Sequence, residues 1–174
     1  MAVMTTVAAT TTVAATTTVA ATAQSETQSD MTRGIRNCNP LNIRRVAGTT
    51  WKGQRAEQTD KEFVQFESIE WGIRAAFCLL RTYSRKYHLT CIADIITRWA
   101  PPSENDTSRY ICNVCRWTGF GGMQRLTESD WPAIVRAMAR QETGLCLSEE
   151  QINKGYELFI LTSLPARSPF AMPV

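Results

Sequence analysis

Glu142 lies one helical turn beyond Met138 on an apolar stripe that also carries Trp131, Ile134 and Val135, two residues before Gly144. A carboxylate set against apolar side chains near a helix C-terminus is disfavoured as an anion twice, by desolvation and by the negative end of the helix dipole. A carboxylic acid that keeps its proton near neutral pH is what general-acid cleavage of a glycosidic bond requires. The alternative is a glutamate that snorkels out of a fraying helix end and performs no chemistry. Glycosidic chemistry commonly uses a second carboxylate, and Glu104 is the leading candidate, beside Asp106, Asp60 and Glu67. A close pair suits retention and a wider pair with room for water suits inversion. Absence of a second group points to lytic transglycosylation or to assistance from the substrate. Asp106 has a competing role as a helix cap, because Ser-Glu-Asn-Asp-Thr after two prolines is ordinary helix-start chemistry.

Other side chains fit the binding of an N-acetylated sugar. Asn37, Asn39 and Asn42 offer amides to acetamido and hydroxyl groups, although asparagines beside a proline also hold turns, the expected role for at least two of the three. Five tryptophans present flat faces on which sugar rings stack. Most lie at core spacing, and Trp51, in a loop between glycine and charged residues, is the best stacking candidate. Tyr110 is placed to orient a substrate oxygen.

The elements that position these residues read as mainly helical with a small β element near the N-terminus, an α+β class. Residues 33 to 65 are rich in asparagine, glycine and proline, which predicts loops, with a short strand over residues 63 to 66. Ser68 then opens a long helix to about Tyr87, buried through Ile73, Ala76, Phe77, Leu80, Tyr83 and Tyr87. A shorter helix from Thr90 carries Ile92, Ile95, Ile96 and Trp99 and must stop before Pro101 and Pro102. Asp106 or Thr107 caps the next, which ends at the glycines from Gly119. Capping boxes at Thr127 with Asp130 and Ser148 with Gln151 open the last two.

The length suits one domain over residues 31 to 162, with an apolar fraction sufficient for a core. Residues 5 to 22 are three copies of Thr-Thr-Val-Ala-Ala-Thr, too poor in large apolar groups to bury, so residues 1 to 30 are expected to be a disordered tail and residues 163 to 174 a flexible one. The repeat lacks a basic n-region and threonines interrupt its apolar runs, so neither a signal peptide nor a membrane span is expected. Net charge is only +3, yet Arg33, Arg36, Arg44, Arg45, Lys52 and Arg55 fall in a stretch with no acidic residue, which favours an anionic partner. No DNA-binding motif accompanies it, and nucleic acid is not the expected partner. The six cysteines read as reduced, buried thiols. Cys112 and Cys115 have metal-ligand spacing, but there is no second such pair and His88 is the sole histidine, so no metal and no cofactor is expected.

Three ordered blocks stand out: Arg33-Gly-Ile-Arg-Asn-Cys-Asn-Pro-Leu-Asn-Ile-Arg44, Phe63-Val-Gln-Phe-Glu-Ser-Ile-Glu-Trp-Gly-Ile-Arg-Ala75 and Trp99-Ala-Pro-Pro-Ser-Glu-Asn-Asp-Thr107. Together they resemble a group of phage and prophage proteins usually labelled virion structural proteins, over roughly residues 33 to 119 with a weaker extension to 144. More distantly they resemble the bacterial β-N-acetylglucosaminidase branch of the lysozyme-like superfamily, which cuts peptidoglycan glycan strands. That family's catalytic glutamate precedes the Asn-rich loop, where this chain has only Glu26 and Asp30. Ala137-Met-Ala-Arg-Gln-Glu-Thr-Gly144 instead looks like the Ala-x-x-x-x-Glu-Ser-Gly segment of lysozyme-like glycosidases and lytic transglycosylases. A circular permutation would place that helix last in sequence and still beside the loop in space.

The resemblance implies a lysozyme-like domain and a phage protein, virion-associated or in the bacterial cytoplasm before assembly, that cleaves peptidoglycan with Glu142 as general acid. It also implies a second reading, a structural or wall-binding virion protein on the same scaffold without the chemistry. Peptidoglycan and other virion proteins are the partners implied.

Overall fold

A computed structural model describes residues 32–163. The expectations for residues 1 to 30 and 164 to 174 lie outside the described residues, whereas Ser163, expected in the tail, closes the last helix. Six α-helices follow one another: α1 Arg33–Arg36, α2 Ile69–Tyr87, α3 Ile92–Trp99, α4 Thr107–Thr118, α5 Trp131–Thr143 and α6 Glu149–Ser163. A 3-10 turn, Glu128–Asp130, leads into α5.

Local chemistry accounts for most of the boundaries. Asp106 accepts from the Arg109 N–H and caps α4, while Gly119 ends it in the left-handed region at φ 76°. Thr127 and Asp130 form a reciprocal capping box before α5, and Ser148 and Gln151 do the same for α6. Gly144, at φ 74°, terminates α5 just beyond Glu142.

α2 is the central element. Ile73, Ala76, Phe77 and Leu80 are buried along it, and Phe77 meets Phe159 of α6 with ring centroids 5.7 Å apart. Full burial of each such aromatic contributes about 1.5–3 kcal/mol. Tyr87, expected in that face, is instead exposed, because α2 extends past the core there and its ring meets the Arg98 guanidinium, 3.8 Å from its centroid, and the Lys86 ammonium at 5.4 Å. Close approach of α6 to α2 depends on Gly155, where a methyl group would meet the Ile73 side chain and the Glu70 carbonyl. Gly155→Ala should destabilise the fold by about 1–2 kcal/mol, overpacking outweighing the gain in helix propensity, read as a lower denaturation midpoint at unchanged slope.

The β element differs from expectation. No strand forms over residues 63 to 66, which make only two isolated antiparallel bridges, Arg44 with Phe63 and Gln54 with Phe66. Backbone pairing there is irregular and shared among three segments, Val64 donating to the Ile43 carbonyl, Phe66 to the Asn37 carbonyl and Arg55 to the Gln65 carbonyl, while the Gln58 side chain bonds the N–H and carbonyl of Gln65 and Asn39 ties the Ile43 and Val64 carbonyls together. The first block, expected as loop, contains the single-turn helix α1. The cysteines are all free, but only Cys91 is buried, and Cys112 and Cys146 are exposed because they sit on or beyond the outer faces of α4 and α5.

Candidate functional site

Glu142 is half-buried in the last turn of α5, and three elements distant in sequence aim donors at its carboxylate. The Tyr110 hydroxyl on α4 donates to Oε1 at 3.0 Å, the Trp99 indole N–H at the end of α3 donates to the same oxygen at 3.2 Å, and the Asn42 amide donates to Oε2 at 3.2 Å. Each oxygen therefore has a fixed partner, and the carboxylate is oriented from both sides. Tyr110 is buried, and its hydroxyl is held protonated first by that burial and then by the adjacent Glu142 charge and hydrogen bond, so it remains a donor.

Asn42 reaches Glu142 by an unusual backbone. Its φ of 50° lies in the left-handed region, which asparagine tolerates better than most residues, and its Oδ1 is buried without a hydrogen-bond partner. Gly34 makes this possible, since a Cβ there would lie 2.9 Å from Asn42 Oδ1 and 3.4 Å from Thr143 Cγ2. Strained backbone and an orphaned buried acceptor persist only where surrounding structure imposes them. Here α1, the Asn-rich loop and the end of α5 are locked together next to the carboxylate.

Two surface depressions flank this junction. One is lined by Asn42, Arg44, Trp51, Tyr83 and Trp99 among others, which places Trp51 beside two of the elements that hold Glu142. The other contains Asn105, Asp106, Arg109, Tyr110, Asn113 and Gln141. Asn42, Trp51 and Tyr110 thus lie around Glu142 or beside it.

Asn37 and Asn39 do not join them. Asn39 is wholly buried, its amide nitrogen donating to Ile43 and Val64 and its oxygen accepting from the Ile43 N–H. Asn37 is 5% exposed and bonds Asp60 and Gln65. Both amides are thus engaged inside the loop, Asn39 with backbone groups and Asn37 with the Asp60 and Gln65 side chains. Glu104 is exposed on the rim, 3.8 Å from Arg44, and makes no hydrogen bond with Glu142. Asp60 is held by Arg33, and Asp106 by its capping bond, so no second carboxylate joins the Glu142 cluster through a hydrogen bond. Trp99, offered by the sequence as one of five stacking tryptophans, as a core residue of α3 and as the head of the Trp-Ala-Pro-Pro block, is the participant whose hydrogen bond to Glu142 sequence reasoning missed. Its position beside the Ala-Pro-Pro corner was the available signal, since that corner turns the indole N–H towards α5.

Among the described residues no group of three or more His, Cys, Asp or Glu side chains is arranged to hold a metal ion, and no helix is long and apolar enough to cross a membrane. Burial pushes the Cys115 thiol up, with Cys112 adding to it, which disfavours thiolate chemistry at Cys115.

No protein-family model matches the chain. It is 41% identical over 132 residues to Protein P5 of Pseudoalteromonas phage PM2, an alignment covering 74% of this chain and 82% of that protein. At that identity and coverage, the chain belongs to the family of this phage protein, Protein P5 of phage PM2.

Proposed function

We propose that this protein is a virion-associated cell-wall glycan-cleaving enzyme of lysozyme-like descent, with Glu142 handling the proton at the scissile bond. The observation that carries this reading is the convergence of Asn42, Trp99 and Tyr110 on one half-buried carboxylate at a helix end. A circularly permuted lysozyme-like domain accounts for a catalytic helix near the end of the chain that nevertheless touches the Asn-rich loop. Relationship to a phage protein supports the setting, since a phage must open the wall of its host.

Asp60 is engaged by Arg33, Asp106 by the α4 cap and Glu104 by Arg44, and lytic transglycosylation, which needs no second carboxylate, is the mechanism we adopt. Glu142 would donate a proton to the leaving glycosidic oxygen as the C1–O bond breaks. The sugar's own C6 hydroxyl would then attack C1, returning its proton to the Glu142 carboxylate and closing an anhydro ring. No water is consumed and the enzyme is regenerated. Trp51, Asn42 and Trp99 would hold a sugar ring in the depression on one side, with Glu104 and Arg44 at its rim.

The test is incubation of the full chain with purified peptidoglycan and identification of released fragments by mass spectrometry. Anhydro ends are expected; reducing ends would replace transglycosylation by hydrolysis. No release from several wall types by folded protein would overturn the enzyme reading. A structural or wall-binding virion protein would then stand in its place, in which the Glu142 cluster serves only to lock α1, α3, α4 and α5 together.

A further inference from the structure

The seam between α4 and α5 continues away from Glu142. Residues 109, 113 and 117 of α4 stand at four-residue spacing and face the α5 series 141, 137 and 133, so successive helical turns line one shallow groove. Its first depression, beside Tyr110, contains Arg109, Asn113 and Gln141. The next, one turn further on, contains Trp117, Arg136 and Arg140. Between them the Asn113 amide donates to Gln141 Oε1 at 3.0 Å and forms the floor.

The chemistry of the groove is specific. Arg109 and Arg140 are exposed at its two ends, and neither has a carboxylate partner among the described residues. Arg140 is held over the Trp117 ring, 4.4 Å from its centroid, which fixes the guanidinium in a planar orientation suited to a carboxylate. Two side-chain amides in the middle match the spacing and polarity of peptide groups. From residue 109 to residue 117 the groove runs about 12 Å, the length of three to four residues of extended peptide. Asp106 borders the near end and Glu142 stands behind it, which disfavours a uniform polyanion there.

We infer that the α4–α5 groove binds the carboxylate-bearing peptide stem of a peptidoglycan strand, so that the protein acts on peptide-substituted glycan in preference to bare glycan. This rests on the proposed cleavage at Glu142 and specifies its substrate. The stem branches from the sugar chain, and a strand whose scissile bond lies over Glu142 would direct a branch past Tyr110 into the groove. Arg109 and Arg140 would each take a stem carboxylate, and Asn113 and Gln141 the peptide groups between.

Binding separates this inference from the cleavage reading. The full chain carrying Glu142→Gln is titrated, with tryptophan fluorescence as readout, against a soluble disaccharide-peptide from peptidoglycan, the same disaccharide without its peptide, and a DNA duplex. The disaccharide-peptide is expected to bind at least about ten-fold more tightly than the bare disaccharide. Adding Arg109→Ala and Arg140→Ala, both at exposed positions, is expected to remove that difference at unchanged melting temperature. Equal affinity for the two sugars, or preference for DNA, would overturn the inference. In parallel, the wild-type chain is given whole and peptide-stripped glycan: cleavage of both at the same rate would overturn the groove's role while sustaining cleavage, and stem-dependent binding without cleavage of either would sustain the groove while removing the enzyme reading.

Discussion

Glu142→Gln is expected to reduce release of wall fragments by about 10²–10⁴-fold, the range that a positioned proton donor contributes, with little change in melting temperature. The variant keeps the shape of the side chain and an oxygen that still accepts from Tyr110 and Trp99, but its carboxamide cannot deliver a proton. Its new NH2 would face the Asn42 amide, a donor against a donor. Asn42 has a remedy, because its Oδ1 is buried and unpartnered, and turning the amide over presents that oxygen to the new NH2. The orphaned acceptor would gain a partner, so stability should hold while chemistry fails. Glu104→Gln, at the exposed rim, is expected to cost less activity. Equal rates of fragment release by wild type and Glu142→Gln, measured on the same purified wall, would remove the proposed proton donor.

The parts of this structure that were legible from sequence are those set by local chemistry. Asp106, the Thr127 and Asp130 pair, and the Ser148 and Gln151 pair each satisfy free backbone N–H groups within a few residues, so their identity alone marks where helices begin. The mainly helical class followed from the same signals and from apolar spacing. What stayed hidden depends on partners far along the chain. Trp99 reads as one more core residue of α3, and only the fold sets its N–H 43 residues away on Glu142. The Phe63 to Phe66 stretch has strand composition, but its backbone partners come from separate places, Asn37, Ile43 and Arg55, with Gln58 and Asn39 side chains between them, so no continuous ladder forms. The same limit applies to the asparagines. Asn37, Asn39 and Asn42 are alike in sequence, and burial separates two that hold the loop from one that reaches Glu142.

The loop that presents Asn42 stands on a second carboxylate, and removing its charge should be the most damaging single polar change away from the site. Asp60 accepts from the Arg33 Nε and Nη2 at 2.7 Å, from the Asn37 amide at 2.7 Å, and from the N–H groups of Glu62 and Phe63 at 2.9 and 3.0 Å. Its side chain is only 9% exposed, so water cannot replace partners that are lost. In Asp60→Asn one acceptor oxygen becomes a donor facing donors. The expected cost is about 3 kcal/mol, lowering the melting temperature by about 10 °C. This figure rests on the lost hydrogen bonds, since Arg33 is 44% exposed and the charge attraction is screened. The pH dependence carries a definite sign. The Arg33 guanidinium and the other donors hold the Asp60 carboxyl well below the ordinary carboxylate range. A group lowered by folding stabilises the native state above its unfolded pKa, near 4, and that contribution is lost as pH falls below it towards the folded value. The wild-type chain should therefore lose stability progressively below about pH 4, and Asp60→Asn should lack that part of the decline. Parallel melting curves for the two proteins between pH 7 and pH 2 would contradict this role, because they would mean that Asp60 binds its proton equally in the folded and unfolded chain.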